Sequence, residues 1–434
     1  MSKNKDSNSN GKNEKDLDVF RALQPKQLAE LDACTRCGEC EEWCPTADAT
    51  DDMEVAPRSK ILRWRDYVNR KHSLKSKIFG EKEITEEELE EFKKDLYTCT
   101  TCGTCEEVCP VDIHTVPLWM SMRQNLVLQD VGPYERQDAF LKLIDKLRNP
   151  YQEDPEERVN WIPDDVEIQD EAEYGYYIGC TASLRQRKVA LASMRILNYL
   201  DVPFTILGDE EECCGSVLWV TGQVRSGSKE ERIVEELARN NVKKFEEKGV
   251  KKVLHSCAGC YRTAKVFWPR VVDREIGFEN YHIAELLADK IRNDEIEWKK
   301  ELDYELTYHD PCHLRGEFLE VFEDPRYVLE NIPGIHFTEM DRNREMARCC
   351  GAGGGVKAGL PDVALGSATN RCEDALDKDA EILSSACPFC KTNMSDARDE
   401  LVNQGELDED ELMVEDLVIL VAEALDLDIE LEEE

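Results

Sequence analysis

One cysteine pattern is written twice in this chain. The first copy runs Cys180, then Cys213-Cys214-Gly215, then Cys257-Ala258-Gly259-Cys260. The second runs Cys312, then Cys349-Cys350-Gly351, then Cys387-Pro388-Phe389-Cys390. Each copy gathers five thiols, one more than a cubane cluster or a zinc ion takes. An adjacent pair does not readily cap two corners of one regular cube. Both oddities point to an unusual iron–sulfur cluster, opened so that one iron meets substrate. Gly215 and Gly351 fit tight turns beside the pairs, aiming backbone N–H groups at sulfur. Gly353-Gly354-Gly355 lets a chain or ligand approach closely. It lacks the Lys-Ser/Thr of a phosphate loop, so nucleotide binding is not expected.

Eight more cysteines form a second repeated pattern upstream. Cys34, Cys37, Cys40 and Cys44-Pro45 are followed by Cys99, Cys102, Cys105 and Cys109-Pro110. This is the spacing of bacterial two-cluster ferredoxins, in which the fourth cysteine ligates the other cluster. The expected sets are Cys34, Cys37, Cys40 and Cys109 on one [4Fe–4S] cubane, and Cys99, Cys102, Cys105 and Cys44 on the second. Zinc sites use sets of four in other spacings. Thiol exchange at either downstream CxxC is disfavoured, because each has three companion cysteines. Cys372 lies outside every motif and reads as a buried apolar residue.

The elements that position these groups follow from periodicity. A leader helix carries Leu23, Leu28 and Leu31. Helices are expected over 59–69 (Ile61, Leu62, Trp64, Tyr67, Val68), over 81–97 (Ile84, Leu89, Phe92, Leu96), and over 120–147 with a break near Gly132-Pro133. The upstream module is therefore helical. From Tyr174 onward strands alternate with helices, which implies a mostly parallel sheet in each copy. Expected strands are 174–179, 203–207 and 252–256 in the first copy, and 306–309, 335–338 and 380–384 in the second. The cysteine groups follow strand ends, where open α/β sheets place their sites. The divisions are a polar tail over 1–25, a two-cluster module over 26–148, a linker over 149–172, and two α/β domains over 173–298 and 299–434.

His255, His309 and His313 flank the cysteines. They read either as strand-end histidines or as hydrogen-bond donors to sulfide and proton sources for a leaving thiolate. Arg185, Arg187, Lys188, Arg262 and Arg315 follow cysteines too, either as solvated helix-start residues or as anion-binding groups. His114 reads as a surface or capping residue.

Composition narrows the function. Fifty-five basic against 93 acidic side chains give a net charge of -38. That excludes nucleic acid as a partner and suits a solvated surface of the kind found in salty cytoplasm. The start of the chain lacks a signal-peptide pattern, and no apolar run approaches a membrane span. A reducing, cytoplasmic setting is expected, with peripheral docking at the inner face of a membrane as an option.

The tandem Cys/Cys-Cys-Gly/CxxC motifs resemble those of the cysteine-rich domain (CCG) family, which includes subunits of heterodisulfide reductase. The resemblance covers residues 30 to 425. It implies two duplicated Rossmann-like α/β domains related by a pseudo-twofold axis. It also implies two non-cubane [4Fe–4S] clusters, one on Cys180, Cys213, Cys214, Cys257 and Cys260, the other on Cys312, Cys349, Cys350, Cys387 and Cys390. The implied reaction reduces the coenzyme M–coenzyme B heterodisulfide to two thiols between those clusters, with the cubanes as supply line. The implied electron donor is a membrane cytochrome b-type subunit or another redox protein. Other members of the family serve as iron–sulfur electron-transfer subunits of anaerobic glycerol-3-phosphate, lactate or glycolate dehydrogenases, passing electrons to a membrane quinone or cytochrome. That is the alternative reading.

Overall fold

A computed structural model of the chain describes residues 22–224, 229–316 and 319–431. Nearly all of the tail expected over 1–25 lies outside the described residues.

The upstream module is helical, with no strand among its described residues. The helix Pro57–His72 exceeds its expected bounds at both ends. Pro57 opens it because the first helical position needs no N–H partner. The helix Glu86–Tyr97 begins later than expected, where Thr85 and Glu88 form a reciprocal capping box. Trp64, Tyr67 and Phe92 meet between these helices, with the Trp64 and Phe92 ring centroids 5.5 Å apart. The helices Thr115–Val127 and Glu135–Leu147 flank the break at Gly132-Pro133.

Eight strands follow: β1 (Tyr174–Tyr177), β2 (Phe204–Thr205), β3 (Lys252–His255), β4 (Glu279–His282), β5 (Tyr304–His309), β6 (Ile335–Phe337), β7 (Ile382–Ser385) and β8 (Met413–Asp416). They form two parallel four-stranded sheets, ordered β2-β1-β3-β4 and β6-β5-β7-β8. The identical order is the duplication of the sequence made visible. Strands β4 and β8 are additions to the three expected per copy. Both are sheet edges, and Glu279-Asn280 and Glu415-Asp416 give them no apolar run to read. In each sheet the chain builds outward to one side of the first strand and then to the other. The switch therefore falls between β1 and β3, and between β5 and β7, where open sheets leave a crevice at their carboxyl ends.

The connecting stretch 149–172 packs on the first copy, with Asn149 and Arg158 buried. The apolar run near the C-terminus is the buried helix Leu417–Ala424. Among the described residues no helix is long and apolar enough to cross a membrane.

Candidate functional site

The cysteine loops begin where the central strands end. Cys180 lies three residues past β1 and Cys257 two past β3; Cys312 lies three past β5 and Cys387 two past β7. All ten thiols are buried, and none is in a disulfide. Gly215 and Gly351 both sit at φ 85°, a backbone state that favours glycine. Each donates its N–H to the first sulfur of its pair, Gly215 to Cys213 and Gly351 to Cys349, both at 3.4 Å. The carbonyl of the second pair member is held as well: Trp268 Nε1 donates to Cys214 O at 3.2 Å, and Asn393 Nδ2 to Cys350 O at 2.6 Å. Hydrogen bonds from neighbouring thiols pull two of these sulfurs well below the usual thiol range. Cys213 and Cys260 act on Cys214; Cys349 and Cys390 act on Cys350. Thiols favoured as thiolates are the form that binds metal.

The two copies face each other across one cavity of about 560 Å³. Nine of the ten cysteines line it, and Cys349 stands just behind. Both CxxC turns line it, and Cys257 and Cys387 are close enough to shift each other's thiol. Gln186 Nε2 reaches across from the first copy to Thr392 Oγ1 in the second, at 3.1 Å.

The helical module presents its own thiols. Cys34, Cys37, Cys40 and Cys109 surround one small cavity, which Cys105 also touches. Cys105 lies in the electrostatic field of Cys102, Cys99 and Cys44. Backbone N–H groups of Thr101 and Ile113 point at Cys99 and Cys109, each at 3.4 Å. The module meets the second copy directly: Arg315 Nη1 donates to Thr104 Oγ1 at 3.0 Å, and Cys102 and Cys349 are close enough to shift each other's thiol. Gly353 and Gly354 make that approach possible. A Cβ on Gly353 would lie 2.6 Å from Thr100 O, and one on Gly354 2.4 Å from Cys99 O. The close approach expected at these glycines is thus made by another stretch of chain. Buried Arg123 locks the junction, donating to Leu96 O and Cys99 O in the module, Val220 O in the first copy and Gly354 O in the second.

The three histidines occupy different places. His313 lines the cavity. His309 brings a ring nitrogen within 4.8 Å of the Cys350 and Cys390 sulfurs, while its Nδ1 accepts from Arg371 Nε at 3.1 Å. His255 pairs Nε2 with Asn280 Oδ1 at 2.9 Å and lies outside the cavity lining. Burial pushes all three down to about 3, so each ring is neutral at ordinary pH. Of the five cations named from sequence, Arg185 lines the cavity, stacked on Tyr151 and paired with Glu153. Arg187 and Lys188 pair with Glu157 and Glu430 outside it. Arg315 is buried and holds Thr104 Oγ1 and Ala347 O. Arg262 lies in the field of Cys312. His114 pairs with Glu30 on the module surface, and Cys372 is buried within the second copy.

Several participants gave no signal in sequence. Arg158 donates to Cys180 Sγ at 3.2 Å and to Glu211 at 3.2 Å. Glu211 in turn accepts from the N–H groups of Ile178 and Gly179, fixing the turn that carries Cys180. Lys357 lines the cavity, with Nζ on Asn393 Oδ1 at 2.7 Å and paired with Asp396. The residues fit iron–sulfur clusters by their own chemistry: unbridged thiols gathered in sets, buried throughout the two copies, with backbone N–H groups aimed at sulfur.

Comparison with known proteins agrees with this arrangement. The model of the cysteine-rich domain matches residues 174–265 and 306–395. The model of the 4Fe-4S dicluster domain matches residues 30–113. The chain is 53% identical over 407 residues to the D-type subunit of dihydromethanophenazine:CoB–CoM heterodisulfide reductase from Methanosarcina mazei, covering 94% of this chain and 97% of that one. It is 52% identical over 406 residues to the same component from Methanosarcina barkeri, covering 93% and 96%. It is also 31% identical over 414 residues to an EtfAB:quinone oxidoreductase from Syntrophomonas wolfei, covering 86% of this chain and 56% of that one.

Proposed function

This chain belongs to the cysteine-rich domain family, beside the D-type subunits of heterodisulfide reductase, and we propose that it is an iron–sulfur oxidoreductase that reduces the coenzyme M–coenzyme B heterodisulfide to two thiols. The observation that carries the reading is a cavity between the copies lined by both cysteine sets. A disulfide has two sulfurs, and a cavity faced by two like thiol sets offers one set to each. In this reading the halves are related by a pseudo-twofold axis through the cavity. Cys180, Cys213, Cys214, Cys257 and Cys260 hold one non-cubane [4Fe–4S] cluster, and Cys312, Cys349, Cys350, Cys387 and Cys390 the other. Cys34, Cys37, Cys40 and Cys109 hold one cubane, and Cys44, Cys99, Cys102 and Cys105 the second. When bound, the clusters supply the two single-electron equivalents that breaking one S–S bond consumes.

The protein's own groups do the remaining work. Two protons must reach the two product sulfurs, balancing two electrons and one disulfide. The protons come from solvent, and neutral His313, in the cavity wall, is placed to hydrogen-bond a product thiolate through its ring N–H. Arg185 and Lys357 set the positive charges of the cavity wall, suited to the sulfonate, phosphate and carboxylate groups of such a substrate. The Cys102–Cys349 contact makes the second copy the near side for electrons. The donor in this reading is a membrane cytochrome b-type subunit or another redox protein.

The likeness to the quinone oxidoreductase favours one other reading, an electron-transfer subunit of a dehydrogenase-like complex. A relay has no need of two complete five-cysteine sets that open on one shared cavity. The test is an anaerobic assay with reduced viologen and a panel of disulfides and fumarate. Turnover of the coenzyme M–coenzyme B heterodisulfide above simple disulfides is expected. Protein loaded with iron and sulfide that consumes no disulfide would overturn the proposal.

A further inference from the structure

Among the described residues, one short helix exposes apolar and basic side chains together. Six large hydrophobic residues are exposed among the described residues, and three of them stand side by side on one short helix. Leu74, Ile78 and Phe79 of the helix Leu74–Phe79 are 75%, 66% and 80% exposed. Leu74 and Ile78 are four apart, so they share a face. Ser73 caps the helix by accepting from Ser76 N at 3.1 Å, and Gly80 turns the chain back in open space at φ 89°. The three apolar side chains therefore project on a defined tip.

The charge of that tip opposes the rest of the molecule. Residues 70–82 hold Arg70, Lys71, Lys75, Lys77 and Lys82 against the one carboxylate of Glu81, in a chain of net charge -38. Arg70 and Lys71 pair with acids on the module. Lys75 and Lys77 are exposed beside the apolar face, and no described residue pairs with either. Exposed Leu, Ile and Phe flanked by lysine are the makings of an interfacial membrane element.

We propose that this tip docks the protein on an anionic lipid surface, with Leu74, Ile78 and Phe79 entering the headgroup boundary and Lys75 and Lys77 facing lipid phosphates. An apolar tip alone would suit any apolar partner, whereas the lysines select a negatively charged one. The acidic body does not prevent the contact. Its repulsion is screened beyond about 8 Å at physiological ionic strength, so the tip decides which face meets the membrane.

The test is co-sedimentation of the full, iron-loaded chain with vesicles of phosphatidylcholine, with and without phosphatidylglycerol. Binding is expected to the anionic vesicles and not to the neutral ones, and to weaken as potassium chloride rises. At roughly fivefold per lysine, Lys75→Gln/Lys77→Gln lowers the partition coefficient about 25-fold. Leu74→Ser/Ile78→Ser/Phe79→Ser abolishes binding even in low salt. All five side chains are exposed, so the variants keep the parent's circular dichroism and iron content. Failure of the parent to bind anionic vesicles overturns the proposal, as does equal binding by the variants. Concentration-dependent self-association that the triple serine variant removes overturns it too, since the tip would then serve a second copy.

Discussion

Removing the positive charge of Arg158 tests the support beneath the first cysteine set. Arg158 and Glu211 have side chains only 1% exposed, and the guanidinium also reaches Cys180 Sγ. In Arg158→Met the Glu211 carboxylate is left buried without its cation, and Cys180 loses its donor. Breaking a buried pair from one side costs about 3–5 kcal/mol. The double variant Arg158→Met/Glu211→Gln removes the orphaned charge and keeps one acceptor for the Ile178 and Gly179 N–H groups. What it still lacks is the hydrogen bond to a charged sulfur, worth about 1.5–3 kcal/mol. The single variant should therefore be less stable than the double, although it carries fewer changes. Urea unfolding under anaerobic conditions, followed by tryptophan fluorescence, measures the order, and iron content per chain reports whether the Cys180 set still loads. A single variant as stable as the parent, or a double variant as impaired as the single, would refute the charge argument.

Other outcomes follow from particular contacts. Gly351→Ala forces a Cβ to 2.4 Å from Ala364 O, whereas Gly215→Ala meets the movable Val234 Cγ1 at 3.2 Å. Both incur the left-handed backbone cost of about 1–2 kcal/mol, and overpacking adds about 1–3 kcal/mol to Gly351→Ala alone; thermal unfolding of the pair checks the order. Burial pushes the Asp95 carboxyl up to about 6, against the pull of Arg63 and Lys60. A carboxyl raised on folding favours the folded state once protonated, so the module gains stability as pH falls through 6 toward the unfolded value of about 4, and Asp95→Asn flattens that gain in an unfolding series. Cys350→Ala should abolish disulfide reduction while the upstream cubanes stay reducible by spectroscopy, and retained turnover would remove Cys350 from the site.

The sequence was most legible where one residue type recurs at fixed spacing. Cysteines after apolar strands told both the sheet ends and the site, because a parallel strand is an apolar run and its carboxyl end is where loops gather. Polar edges were silent: β4 and β8 carry acids, and their pairing is set by the neighbouring strand rather than by their own pattern. Arg158 and Glu211 were hidden for a related reason. Both lie in acid-rich stretches that read as solvated, and burial of a charge depends on a partner 53 residues away. Arg187 and Lys188 take the solvated helix-start alternative, since their helix carries them from Cys180 to Glu157 and Glu430. Lys357 reaches the cavity from a short helix after the glycine run, with no motif to mark it.

The docking of the module was legible only as a close approach at Gly353-Gly354-Gly355, without its partner, and it carries the most consequence. One module cannot contact two related copies equivalently. Arg123 bonds to both, through Val220 and Gly354, but the thiol contact goes to one. Its effect is read at matching positions of the repeat. Cys349 is lowered from the usual thiol range, chiefly by the hydrogen bond from Cys102. Cys213, in the same place in the first copy, has no such neighbour; the bond from Cys180 lowers it, but Cys214 and burial raise it further. Two sets alike in sequence thus have unlike neighbours. The inequality begins at Gly353 and Gly354, whose missing side chains admit Cys99 and Thr100 to the second copy. The first copy follows its cysteine pair with Ser216-Val217-Leu218, and no glycine pair follows there. A duplicated domain is met asymmetrically by the module through the two side chains it lacks on one side.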